Sequence, residues 1–418
     1  MLGASGEPIA SDRLESVPSM RVPTVPSPDT LREAVAGRSG VREGTVFLVR
    51  SPYRICPIGA HIDHQYGPVL GMAVAVGTEL AFAAASDRRC SIASRNYAGR
   101  AEFAVDEPGP PADARGWQRY PRAAAWALRD RLPARPRGIV AELEGALPGG
   151  GLSSSASLLV ACLVALAHAN DLELGPAELV RRSVAAENGY VGLQSGVLDP
   201  AAVVASRRGR LTRIDTERVS WETLEPGAGA PELRVVVAFG GRARNLAGTG
   251  FNRRVAECRT AARTVARAAG LGDVERFGDL PEEVLAAGLD ALPPALGRRA
   301  RHFHEERVRV REGVACWRSG DFEGFGRRMT DSCRSSIENF ETGSRELVDL
   351  HRALQAGGVF GSRFSGAGFA GCAVGLVAAD RAEACRAEVE RAYVDLHPER
   401  TPGARIFLTQ TQDGARLH

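Results

Sequence analysis

Three short segments gather the residue types that phosphate and polyol chemistry need. The first, LPGGGLSSSASLLVACLVA, sets Gly149, Gly150 and Gly151 ahead of Leu152 and the hydroxyls of Ser153, Ser154 and Ser155, then runs into an apolar stretch of helical length. Glycine lets a backbone approach an anion closely, and a helix start offers it unpaired amides and a partial positive charge. The hydroxyls could bond phosphate oxygens or ligate Mg2+, a hard cation that prefers oxygen. The same residues also fit a flexible loop closed by a serine helix cap. The second segment, SPYRICPIGAHIDHQYG, packs Arg54, His61, Asp63, His64 and Gln65 beside apolar runs. Directional polar groups of this kind suit sugar hydroxyls, and the competing reading is a surface loop. The third, GSRFSGAGFAGCAVGLV, is a Gly-rich turn between strands, a pattern that serves tight packing as well as ligands.

Composition narrows the chemistry. The chain has 418 residues, 44% hydrophobic and 25% charged, enough for two or three domains with a sizeable core. All 53 basic residues are Arg, for there is no Lys. That absence excludes a pyridoxal Schiff base, a phosphate loop ending in Gly-Lys-Ser/Thr and the ATP lysine of protein kinases. Any phosphate must be held by backbone amides, Arg, hydroxyls or a metal. The net charge of +3 is too balanced and scattered for a nucleic-acid stripe, so no nucleic-acid partner is expected. The longest apolar run, 158–169, is about half of the roughly 20 residues of a membrane span. With no basic-then-apolar start, a cytoplasmic protein is expected. Eight cysteines without a C-x-x-C pair are expected to be reduced and buried. His61 with His64, and His302 with His304, lack cysteine or carboxylate company at zinc-site spacing, so no histidine-built metal site is expected.

The elements that must position these segments follow from periodicity. Residues 1–30, rich in Pro, Ser and Gly, read as a mobile tail. The stretch 45–86 reads as consecutive strands around a turn at Gly67, 118–131 as an Ala-rich helix, and GIVAELEG as a strand. The glycine loop leads into the apolar helix at Leu158, and PAELVRRSVAAENGYVG reads as the next helix. A second unit opens near Glu232 with LRVVVAFGG. Helices are expected over 253–269, 299–319 and 344–354, then strand, Gly-rich loop, strand, helix and the closing strand ARIFLTQ. Helices and strands mix without strict alternation, which predicts an α+β protein of two domains.

Taken in order, with ENGYVGLQSGVLDP between the glycine loop and the third segment, these motifs resemble the GHMP small-molecule kinases. The second segment, the run around Asp199 and RSSIENFETGSRELVDL are similar to the galactokinase branch, and within it to the galacturonokinases. The resemblance implies an N-terminal domain like ribosomal protein S5 (31–228) and a ferredoxin-like C-terminal domain (229–418), with Mg2+, ATP and a monosaccharide bound between them. It implies Asp199 as the acid that takes or orients the anomeric proton, and Arg54 as the guanidinium beside it. It further implies Glu187 and Ser155, or the neighbouring Ser154, as Mg2+ ligands, and residues 149–153 around the triphosphate. His61 and Asp63 would hold ring hydroxyls, Gly196 would allow close approach, and Gly366 and Gly368 would line the inner face.

Where galactokinases carry Gly-Glu-His-Thr-Asp, this chain has Gly59, Ala60, His61, Ile62 and Asp63. In that branch the glutamate is associated with the hydroxyl on C6. Its loss removes a charge that would repel a C6 carboxylate by ~4 kcal/mol at ~4 Å and an effective dielectric near 20. The implied acceptor is therefore D-galacturonate, with galactose, N-acetylgalactosamine and arabinose as alternatives and a non-catalytic sugar sensor as a further one. Arg242 and Arg244 are candidate partners for the carboxylate. Phe251 stands where galactokinases have a sugar-contacting Tyr, and Pro200 follows Asp199 where they usually have Gln.

Overall fold

The computed structural model describes residues 27–39, 45–113, 116–147, 149–241, 250–400 and 403–418. Most of the expected tail therefore lies outside the described residues, but helix α1 (Pro28–Ser39) already begins within it. Strand β1 (Phe47–Ile55) pairs antiparallel with the long β2 (Val69–Ala84), and the ladder shifts register between Pro52 and Tyr53. A bulge of this kind bends a strand and re-aims the side chains beyond it, here Arg54.

The chain continues through β3 (Arg89–Ser94), β4 (Arg100–Ala104), α2 (Arg119–Leu128), β5 (Ile139–Gly145), α3 (Ser154–Ala169), α4 (Pro176–Ala186), α5 (Leu198–Ala205), β6 (Leu211–Asp215) and β7 (Ser220–Leu224). The apolar run expected as a helix is α3, buried all round because sheet, α2 and α4 surround it. The next expected helix is shorter than read. α4 stops at Ala186, and residues Glu187–Val191 form a wider π-turn in which Gly192 N and Leu193 N both donate to Glu187 O.

The second unit runs β8 (Leu233–Phe239), α6 (Gly250–Ala268), α7 (Glu282–Gly288), α8 (Pro294–Ser319), α9 (Phe322–Glu338), α10 (Arg345–Ala356), β9 (Gly361–Phe364), β10 (Cys372–Ala378), α11 (Ala382–Leu396) and β11 (Arg405–Thr409). Its sheet is antiparallel, in the order β11-β8-β10-β9. Helix α9 was not anticipated. Its Gly, Ser and Cys content hides a helix whose small residues let Gly326 pack against the backbone of Phe360 and Gly361. The chain then returns to the first unit as β12 (Thr411–Gln412), which pairs with β2, and β13 (Arg416–Leu417), which pairs with β1. The first sheet is thereby nine-stranded, with the path β13-β1-β2-β5-β3-β4.

The fold is α+β, as predicted. One apolar cluster joins the two sheets: Tyr53, Ile55, Leu70 and Met72 of the first pack with Val235, Val237, Val374 and Phe407 of the second. Each such side chain is worth roughly 1.5–3 kcal/mol when buried, so the seam beside the functional segments is part of the core. All eight cysteines are free thiols, seven buried and Cys316 half-buried. No helix among the described residues is long and apolar enough to cross a membrane.

Candidate active site

The three segments meet in one cleft. Its walls include Arg54, Ala60, His61, Asp63, Gly149, Gly151, Ser153, Ser154, Ser155, Gly196, Asp199, Phe251 and Gly366. The glycine loop touches the third segment directly. A Cβ on Gly151, whose φ is +89°, would lie 2.9 Å from Cys372 N. Gly150 and Leu152 stay behind the wall. Leu152 is a core residue whose carbonyl accepts from Arg54 N at 3.1 Å.

Arg54 and Asp199 form the centre. Arg54 Nε donates to Asp199 Oδ1 at 2.7 Å, and its Nη1 donates to Ser365 Oγ at 3.0 Å. Burial opposes the guanidinium charge, yet Asp199 more than offsets this and raises the Arg54 pKa. Ser153 was one of the residues expected around the triphosphate. Its hydroxyl donates to Asp199 Oδ2, from a left-handed backbone at φ 56°, and makes no helix-cap bond. The serine-cap reading of the loop is thus replaced by a link between glycine loop and acid. Asp199 lies in the first turn of α5, where Pro200 costs nothing because its missing N–H would have no intrahelical partner there. The Asp199 side chain keeps about a quarter of its surface open to the cleft.

Next to Asp199, Asp63 Oδ2 accepts from Leu198 N at 3.2 Å. A Cβ on Gly196 would sit 2.3 Å from the same oxygen, so a glycine is needed there for the carboxylate to enter. Burial, reinforced by the nearby Asp199 charge, lifts the Asp63 carboxyl to about 6. His61 is held at φ 66° and stacks on Phe340 at 4.5 Å. Burial, with Arg363 next, pushes its imidazole well below the ordinary range, and its Nε2 has no hydrogen-bond partner. His64 and Gln65 do not reach the cleft. Gln65 Nε2 bonds His64 Nδ1 at 3.0 Å and its Oε1 accepts from Phe277 N at 3.2 Å, so both brace the loop. Phe251 lines the cleft beside Leu193 and Val255. Arg242 and Arg244 lie outside the described residues.

Glu187 is buried, and its carboxylate is met by hydroxyls alone, Ser195 Oγ at 2.5 Å and Ser155. Burial lifts its pKa to about 7, and the Asp199 charge adds to this. A carboxyl ringed by hydroxyl oxygens suits a hard divalent cation, whose charge would favour its ionised form, so the residues present fit Mg2+. Ser154 Oγ is committed elsewhere, accepting from Gly149 N at 2.9 Å. Among the described residues no group of three or more His, Cys, Asp or Glu is placed to hold a metal ion. Ser195, Ser365 and Arg363 were not singled out from sequence. The last two sit inside the third segment, whose Gly-rich turn was the weakest of the three signals.

Comparison with known proteins matches residues 119–207 to the N-terminal domain of GHMP kinases and residues 314–395 to their C-terminal domain. The chain is 37% identical to galacturonokinase of Arabidopsis thaliana, covering 95% of this chain and 100% of that one. It is 30% identical to galactokinase of Roseiflexus sp. (strain RS-1), covering 92% and 95%. The crystal structure of Lactococcus lactis galactokinase complexed with galactose superposes with a TM-score of 0.82 at 28% identity, over 92% of this chain and 98% of that one.

Proposed function

From the premise that the chain belongs to the GHMP kinases, we propose that it transfers the γ-phosphoryl group of ATP to the anomeric hydroxyl of D-galacturonate, giving D-galacturonate 1-phosphate and ADP. The observation that carries the reading is the Arg54–Asp199 pair, set between the glycine loop and the wall of His61 and Asp63. Ala60 on that wall, and the likeness to the Arabidopsis enzyme, favour the acid sugar.

Phosphoryl transfer asks the protein chiefly to align two oxygens and to meet negative charge. Asp199, ionised beside Arg54, accepts the hydrogen bond of the anomeric hydroxyl. It takes the proton as the new O–P bond forms and the bond to the β,γ-bridging oxygen breaks. Arg54 stabilises that carboxylate and the charge on the moving phosphoryl group. Backbone amides of the glycine loop face the phosphates. Asp63 and His61 Nε2 orient the ring hydroxyls. Glu187 and Ser155 are the residues that would hold Mg2+, which neutralises phosphate charge when bound with ATP. The first unit, 31–228 with the returning residues 411–418, carries most of the phosphate and sugar residues, and the second adds Phe251, Arg363 and Gly366 to the cleft.

Galactose is the second reading, favoured by the galactokinase relatives. ADP release is to be measured with Mg-ATP and D-galacturonate, D-galactose, D-glucuronate, N-acetylgalactosamine or L-arabinose. Preference for D-galacturonate, with an acid-labile phosphate on the anomeric carbon, is the expected result. Turnover of only neutral sugars would overturn the acid assignment but keep the kinase, and turnover of none would remove both.

A further inference from the structure

We propose that Arg363, on β9, is the cation that receives the substrate's carboxylate. The proposal rests on the reading of the substrate as a hexuronate. Among the described residues two arginines line the cleft, Arg54 and Arg363. Arg54 is committed to Asp199 at 2.7 Å, where the anomeric end must lie. Arg363 is fully buried, and its guanidinium is met almost entirely by neutral oxygens. Nε donates to Phe364 O at 3.2 Å, Nη1 to Ser332 Oγ and Nη2 to Ser336 Oγ at 3.2 Å. The nearest carboxylate among the described residues is Glu306, at 3.9 Å. Glu306 is itself held more tightly elsewhere, by Arg309 Nη1 at 2.5 Å and by Gly59 N at 2.8 Å.

A guanidinium has five N–H donors, so the three bonds to oxygen leave donors to spare, and a buried cation whose counter-ion lies 3.9 Å away and is shared with Arg309 is only partly compensated. A ligand carboxylate would supply both the charge and the acceptors. On the wall beside Arg363, Ala60 brings no charge and burial disfavours the His61 cation, while the Asp63 carboxylate on the same wall is turned to Leu198 N. The link to that wall is continuous. Gly59 N, Glu306, Ser332 Oγ and Arg363 form one hydrogen-bonded chain, and His302 Nε2 bonds Ala60 O at 3.0 Å while its Nδ1 meets Ser335 of the same helix, α9.

The test compares D-galacturonate with its uncharged C6 amide in the wild type, Arg363→Gln and Arg363→Lys, with melting temperatures recorded in parallel. In Arg363→Gln the KM for the acid is expected to rise roughly 10- to 100-fold, while KM for the amide and for ATP changes less than about twofold. Arg363→Lys keeps the charge but loses the planar fork, and is expected to recover part of the acid preference. It also serves as the variant to read if Arg363→Gln does not fold. An acid-to-amide ratio of kcat/KM that stays at the wild-type value in these variants overturns the Arg363 assignment and leaves the galacturonate reading standing. A wild type that ignores D-galacturonate but phosphorylates a neutral hexose overturns the substrate reading first, and this proposal with it.

Discussion

In the proposed reaction, Ala60 bears on which sugar is used and Asp199 on whether any phosphate moves. Ala60→Glu puts a carboxylate on the wall of the cleft. The ratio of kcat/KM for D-galacturonate over D-galactose is expected to fall at least about tenfold, and an unchanged ratio would remove Ala60 from the account of specificity. Asp199→Asn keeps the shape of the acid and removes its basicity. Turnover is expected to drop by a factor on the order of 10^3 with nucleotide binding retained, checked by single-turnover kinetics alongside nucleotide titration. Asp63 illustrates a cost of the site. Its carboxyl titrates near 6 in the fold, against 3.8 as an unperturbed group, so its contribution to stability is present in full below about 3.8 and is lost as pH rises through about 6. Asp63→Asn should therefore melt a few degrees above wild type near pH 8 and converge with it near pH 4, while its KM for sugar rises. A melting difference independent of pH would show that burial of this charge is not the cause.

Elements decide which of these residues could be read in advance. The glycine loop, the apolar helix α3 and the strands β1 and β2 were legible because local spacing fixes them: glycines before a helix start, then apolar runs of helix or strand length. Arg54 and Asp63 stand out in the second segment by residue type, Asp199 by motif resemblance, and the fold brings all three to one cleft. What was not legible depended on contacts distant in sequence. Ser153 reads as a cap until α5 sets Asp199 against it, and Gln65 reads as a sugar ligand until Phe277 N takes its carbonyl. The turn at Glu187 was invisible because a π-turn and an α-helix share one apolar pattern. The contact between glycine loop and third segment carries its own prediction. Gly151→Ala forces a side chain to within 2.9 Å of Cys372 N at a φ that L-residues avoid. KM for ATP is expected to rise roughly tenfold with a lower melting temperature, and an unaltered KM would mean that the loop does not meet the nucleotide.

At the scale of the whole molecule, the two units are bound by a shared core and by the returning strands. Gly414 N donates to Ser206 O at 2.9 Å and Ala415 N to Val203 O at 2.8 Å, so residues 411–418 strap α5, the helix whose first turn carries Asp199. A chain shortened to end at Gln410 loses these bonds and both ladders. It is expected to melt lower by on the order of 5 °C and to lose kcat more than it raises KM. The full chain is expected to unfold in a single calorimetric transition because Tyr53 and Val237 lie in one cluster. Two resolved transitions would mean that the seam is weaker than its burial implies.

Those returning strands also set an order of events during synthesis. The outer neighbour of Val49 is Leu417, about 370 positions further along the chain. At roughly 5–20 residues per second, the ribosome leaves that edge of the first sheet unpaired for on the order of 20–70 s. An open strand edge is a template for pairing with other chains. The growing polypeptide therefore has an interval in which chaperone capture, or exchange of β13 between two copies, competes with its own closure.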